Sequence, residues 1–273
     1  MSQVAGTSVN QCPSRYMYNH QHLAYHRLSR FASFSGRRIL EVGGNQRAES
    51  ALPFIQAGAA EVVVTGLLHV NAERLDSDNG IRVMRADAYA LEQISGPCSF
   101  DFVYGLSVIE HLPRLTRFLE QVHQVLKPGG LAFFEGDPIW TSARGHHLWV
   151  QTDTAKYTFA LPAGVESINP VPDWAHLLLD ADEMSAVLRE RKPEIPDSDI
   201  EAICNWIFSS DSISRLSHRE IATAFSRCPL VTLHLASNWS QVPTEAAAEL
   251  RRRIGDGNDF GISSLQYVLQ KAA

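Results

Sequence analysis

Between residues 38 and 136, short apolar runs alternate with amphipathic stretches, and that rhythm restricts the fold more than any other feature of the chain. Arg38–Val42, Glu61–Thr65, Ile81–Met84, Phe100–Tyr104 and Leu131–Glu135 each read as a short strand. Gln46–Ala57 and Leu115–Leu126 read as helices. In the second, apolar residues at 115, 118, 119, 122, 125 and 126 repeat near the helical period. Gly58 stops the first helix. Lys127-Pro128-Gly129-Gly130 stops the second, because proline has no N–H to extend it and glycine is costly to order. Strands joined through helices imply a largely parallel sheet with helices on both faces. In such sheets ligands bind beyond the carboxyl ends of the strands, so those ends are the places to look for function.

The flanking segments differ in character. Residues 1–15 are polar and interrupted by Pro13, whereas 16–34 are helical in period and aromatic, with Tyr16, Tyr18, His20, His22, Tyr25 and His26, up to Gly36. From Pro138 to Leu216 the alternation breaks, and Trp140, His146, His147, Trp149, Trp174 and His176 appear among scattered prolines. Helices are expected near Asp182–Arg189 and at Ser198–Phe208, the latter opened by a capping box of Ser198 and Glu201. A second capping box, Ser217 with Glu220, is stapled by Leu216 and Ile221. A strand at Leu230–Leu235, a helix at Thr244–Ile254 and a strand at Leu265–Leu269 follow. The reading divides the chain into an N-terminal helical lid (1–37), the first half of a sheet domain (38–137), a cap insertion (138–216) and the rest of that domain (217–273).

Charge and composition narrow the partners. The net charge of −6 argues against nucleic acid, whose phosphates call for a basic stripe. Arg251-Arg252-Arg253 reads as one solvated helix face. No window is long and apolar enough for a membrane span, and the first residues lack a signal pattern. Cys12, Cys98, Cys204 and Cys228 have no metal-ligand spacing, so they read as reduced thiols of a cytoplasmic protein, monomer or homodimer. His22 and His26 lie four apart but lack a third ligand, so no metal is expected.

The strand ends carry the chemistry. The first reads Glu41-Val42-Gly43-Gly44-Asn45, where glycine lets backbone approach a ligand and the next helix offers free N–H groups. The third is followed by Ala86-Asp87-Ala88, and the fourth runs Phe100-Asp101-Phe102-Val103-Tyr104-Gly105-Leu106-Ser107 into Glu110-His111-Leu112. With Leu126-Lys127-Pro128-Gly129-Gly130 further on, this order resembles the class I S-adenosylmethionine-dependent methyltransferase superfamily, in particular its small-molecule branch. The resemblance covers residues 38–136, extends to Phe260–Lys271, and leaves 138–216 unmatched. It implies a Rossmann-like, seven-stranded, mostly parallel sheet and S-adenosylmethionine as cofactor. By the same resemblance Glu41 orients the cofactor's amino end, and Gly43, Gly44 and Asn45 lie against its methionine portion. Asp87 accepts from the adenine amine beside Ala88 and Tyr89, while Leu106 and Ser107 line the pocket under the sulfonium. The family's acid after strand two is missing, since the chain reads Thr65-Gly66-Leu67-Leu68-His69, and Asn71 or Glu73 replaces it only if the loop folds back. Asn45 stands where the family has glycine, and asparagine tolerates a positive φ.

Methyl transfer needs positioning above all, and a base only for a protonated acceptor. His146, His147, His176 and Tyr18 are the catalytic candidates of this reading, because histidine titrates near neutrality and the segment after strand five faces the transferred methyl. The leading function is methylation of a small-molecule oxygen or nitrogen. A cyclase that consumes the cofactor's aminobutyryl arm and releases methylthioadenosine, as azetidine-2-carboxylate synthases do, is the alternative. A non-catalytic binding protein on the same fold is the third.

Overall fold

In the computed structural model, residues 20–67, 69–76, 79–159 and 168–273 are described, so Tyr18 and Cys12 lie outside the described residues. One eight-stranded sheet organises them. Its strands are β1 (Arg38–Val42), β2 (Glu61–Gly66), β3 (Arg74–Asp76), β4 (Ile81–Arg85), β5 (Phe100–Gly105) and β6 (Leu126–Gly136), with β9 (Val231–Trp239) and β10 (Ile262–Gln270) near the C-terminus. A separate hairpin pairs β7 (Trp149–Gln151) with β8 (Lys156–Thr158). The order across the large sheet is β3-β4-β2-β1-β5-β6-β10-β9. β1 pairs in parallel with β2 on one side and β5 on the other, which places the topological switch point at its carboxyl end. β10 runs antiparallel between β6 and β9.

The apolar runs form strands because both faces of the sheet are covered. Leu40, Val103, Ala132 and Phe134 pack on one side under the helices Leu115–Val125 and His218–Arg227. Ile39, Phe102, Tyr104, Leu131 and Phe133 pack on the other under Leu23–Leu28 and Leu52–Gln56. Alternate residues therefore face opposite cores, the two-residue period of a strand. The Lys127-Pro128-Gly129-Gly130 segment opens β6 and is tied to β5. Lys127 Nζ donates to Asp101 Oδ2 at 2.8 Å, and a Cβ on Gly130 would lie 2.8 Å from the Lys127 carbonyl oxygen. Residues 148–207 carry an apolar cluster of their own, with Leu148, Met184, Leu188, Ile200, Ile203 and Ile207 buried together.

Several sequence expectations need correction. The sheet has eight strands, not seven. The extra one is the three-residue edge strand β3, whose Arg-Leu-Asp sequence is too short and polar to signal itself. The helix expected over 46–57 shrinks to a 3-10 turn at Glu49–Ala51 and a helix at Leu52–Gln56, because Asn45 Oδ1 accepts from the Arg47 and Ala48 N–H groups and holds the chain in a turn. The helix at Asp197–Ser209 starts after Pro196 without a side-chain cap, since the Ser198 hydroxyl turns to Asp199 instead. The Ser217–Glu220 capping box forms, and so does one the sequence reading missed, Asp180 with Glu183.

Candidate active site

A cleft of about 730 Å³ opens at the carboxyl ends of β1, β5 and β6. Glu41, Gly43, Gly44, Asn45 and Ser50 line it below. Leu106, Ser107, Asp137 and Pro138 come from the ends of β5 and β6, while Arg144, Phe159, Asp173 and Trp174 come from the 138–216 segment. His20, Gln21, Gln241 and Phe260 also line it. Six of the nine predicted cofactor residues thus meet at one cavity.

The glycines of the β1 turn leave that surface bare for a physical reason. Gly43 has φ +81, and a Cβ there would sit 2.8 Å from Val108 Cγ2. A Cβ on Gly44 would sit 2.4 Å from Val64 Cγ1 and 2.8 Å from Glu41 Cδ. Asn45 is not among the residues with positive φ, so its role is the side-chain turn described above and not a left-handed backbone. Glu41 is buried and accepts from Ser50 Oγ at 2.6 Å and Tyr104 Oη at 2.9 Å. Burial raises its pKa, and those two hydroxyls restrain the rise.

The other three predicted cofactor residues do not line the cavity. Asp87 is exposed after β4 and accepts from the Tyr89 N–H at 2.8 Å, a self-contained turn. Tyr89 accepts from the Arg114 N–H and lies under its guanidinium, and Ala88 packs against the core. The sheet order puts this turn two strands from Gly43, roughly 10 Å at ordinary strand spacing. Between them the loop after β2 does fold back, through its backbone. Gln46 Oε1 accepts from the Asn71 and Ala72 N–H groups, while the Asn71 and Glu73 side chains stay exposed. A Cβ at Gly66 would meet the Gly44 carbonyl oxygen at 2.4 Å, so no side chain fits at that strand end.

The three expected histidine bases sit behind the cavity wall. His146 is fully buried and its Nδ1 accepts from the Leu148 N–H. His147 Nε2 donates to the Pro138 carbonyl, and His176 Nε2 donates to that of Trp140. Burial lowers His146 well below the usual imidazole range, His147 to about 3 and His176 to about 4. Burial favours the neutral form of each, because a buried imidazolium would lose its water.

The cavity instead presents a pair that sequence reasoning passed over. His20 Nε2 lies 2.8 Å from Glu135 Oε2 and 3.3 Å from Ser107 Oγ. Glu135 is 3% exposed at the end of β6, and Asp137 follows it into the cavity. Burial and then the Glu135 charge raise Asp137 to about 6. An acid next to the end of an otherwise apolar strand was the available signal. Nothing in local spacing ties it to a histidine 115 residues away.

Glu110 lies beneath this group with Oε2 buried and without a hydrogen bond among the described residues, while Oε1 accepts from the Asp137 N–H. Burial lifts its pKa well above 4.5, so ionising it costs stability increasingly as pH rises from that value. Glu110→Gln should therefore gain stability on the parent between pH 4.5 and 8. Urea denaturation at both values checks it, and a gain that shrinks with pH would contradict it.

A family model described as a methyltransferase domain matches residues 16–219. The ubiquinone biosynthesis O-methyltransferase of Paramagnetospirillum magneticum is 29% identical over 191 residues, which span 66% of this chain and 69% of that protein. An S-adenosylmethionine-dependent methyltransferase structure from Mesorhizobium loti superposes with a TM-score of 0.51 at 17% identity, covering 90% of this chain and 96% of the other. The geranyl diphosphate C-methyltransferase of Streptomyces coelicolor A3(2) gives 0.52 at 12% identity, covering 94% and 80%. At such identities the structural matches speak for the fold.

Proposed function

Since this chain belongs to the methyltransferase-domain family and is an S-adenosylmethionine-dependent methyltransferase, we propose that it methylates an oxygen or nitrogen of a small molecule held in the cleft. The cleft itself supports this reading most. Its 730 Å³ falls within the roughly 300–1,000 Å³ of small-molecule sites, and it joins the bare Gly43-Gly44 turn to Arg144, Phe159 and Trp174 of the 138–216 segment.

The cofactor fits the residues present. A Cβ on either glycine would collide with Val108 or Val64, so the turn offers only backbone to a ligand. In this reading Gly43, Gly44, Asn45, Leu106 and Ser107 take the methionine end and Asp87, Ala88 and Tyr89 the adenine. Glu41 keeps lone pairs free for the ammonium beside its two hydroxyl partners. When bound, the cofactor supplies an electrophilic methyl group on a sulfonium. The rest of the site orients the acceptor against it and excludes water. No helix among the described residues is long and apolar enough to cross a membrane.

Incubation of the purified protein with S-adenosylmethionine, followed by mass spectrometry, tests the reading. S-adenosylhomocysteine should form only when an acceptor is added. Methylthioadenosine formed without one would replace methyl transfer by cyclisation of the cofactor.

A further inference from the structure

We infer that the methylated atom is a hydroxyl oxygen and that His20 is the general base that takes its proton, with Glu135 as the positioning residue behind it; this rests on the methyltransferase reading of the cleft.

The geometry separates this arrangement from other uses of the same residues. Ser107 Oγ and Glu135 Oε2 both meet the same ring nitrogen, Nε2, at 3.3 and 2.8 Å. A serine nucleophile needs its histidine to face the serine with one nitrogen and the carboxylate with the other. That relay is absent here. Glu135, buried on β6, instead fixes the ring so that Nε2–H points to the carboxylate. Nδ1 then carries the lone pair, and it makes no hydrogen bond among the described residues. His20 is part-exposed and lines the cleft. Ser107 holds a left-handed backbone, φ 48, at the same wall, an unusual conformation for serine.

The step balances without another reagent. The acceptor oxygen forms the new C–O bond, and the C–S bond breaks with its electron pair remaining on sulfur. The O–H proton passes to His20 Nδ1, and the Glu135 carboxylate balances the imidazolium. The groups facing His20 are Glu135, Ser107 and Asp137, two of them acidic. The hydrogen bond that His20 donates to Glu135 raises the His20 pKa above 6.5, although burial opposes it. A base is active when unprotonated. The rate should therefore rise with pH through a midpoint above 6.5, and fall as pH drops below it.

Two measurements test this. The first follows the ring carbons of His20 by NMR in the full chain, assigned through His20→Gln. The midpoint should lie above 6.5 and drop in Glu135→Gln. A midpoint at or below 6.5, or one indifferent to Glu135→Gln, would overturn the pair. The second follows methylation of catechol, phenol and benzyl alcohol, with benzylamine as the amine probe. Hydroxyl probes should be methylated, and His20→Gln should lose roughly 10²- to 10⁴-fold in kcat together with the acidic limb of the pH profile. Glu135→Gln should shift that limb downward, and Asp137→Asn should shift it the same way by less, because the Glu135 hydrogen bond is the larger cause of the raised His20 pKa. Cofactor affinity by calorimetry should stay within threefold in all three variants. Methylation of benzylamine alone, or a limb that survives His20→Gln, would overturn the proposal. Methylthioadenosine in place of any methylated probe would defeat the methyltransferase reading, and the assignment of His20 as base with it, while the NMR titration reports the pair by itself.

Discussion

Gly44→Ala should weaken cofactor binding and cost about 1–3 kcal/mol of stability, the usual range for overpacking a closed site. The added methyl would sit 2.4 Å from Val64 Cγ1 and 2.8 Å from Glu41 Cδ. Neither neighbour has room to yield. Val64 is fully buried on β2, and Glu41 is held by two hydroxyls. The β1 turn must move instead, and that turn is the floor of the cleft. Calorimetric titration with S-adenosylhomocysteine should show a loss of at least roughly tenfold, about 1.4 kcal/mol. An alanine variant with parental affinity would mean that the cofactor lies elsewhere.

Glu41→Ala should be the most damaging single polar change, costing about 2–6 kcal/mol. Removal of the carboxylate leaves the buried Tyr104 and Ser50 hydroxyls without their acceptor, at about 1–3 kcal/mol each. Glu41→Gln keeps the shape and one accepting oxygen, and its amide can donate to the other hydroxyl, so its loss should stay below about 1.5 kcal/mol. Its deficit should also diminish as pH rises above 4.5. Burial has raised the parent's pKa, so the parent loses stability over that window and the amide does not. Chemical denaturation of both variants at pH 5 and 8 decides the matter. Equal losses for alanine and glutamine would show that the two hydroxyl bonds contribute nothing.

The sheet was legible because its signals are local. β1, β2 and β5 alternate between two buried faces, and Gly58 and Gly255 mark where helices end. β3 left no trace, because three residues on an edge, two of them charged, pair through backbone atoms that every sequence has. The Asn45 turn was misjudged in the opposite sense. Helical periodicity promised a helix from Gln46, and a single side-chain carbonyl accepting from two N–H groups prevents it. Within the candidate site, residues adjacent to a strand end were within reach of sequence reasoning. The His20–Glu135 pair was not, because its partners meet only after the chain has crossed the sheet. His146, His147 and His176 drew attention by type and position, yet composition cannot show that each is buried against a backbone group.

The apolar cluster of Met184, Leu188, Ile203 and Ile207 has a bearing on how such a chain diversifies. These residues bury one another and do not lend their side chains to the two cores flanking the sheet. Insertions, deletions and repacking in this segment can accumulate while Gly43, Gly44 and Glu41 keep their surroundings. Lineages that exchange one acceptor for another are therefore expected to record the change between residues 138 and 216, and a library confined to those positions is the economical starting point for redirecting the enzyme.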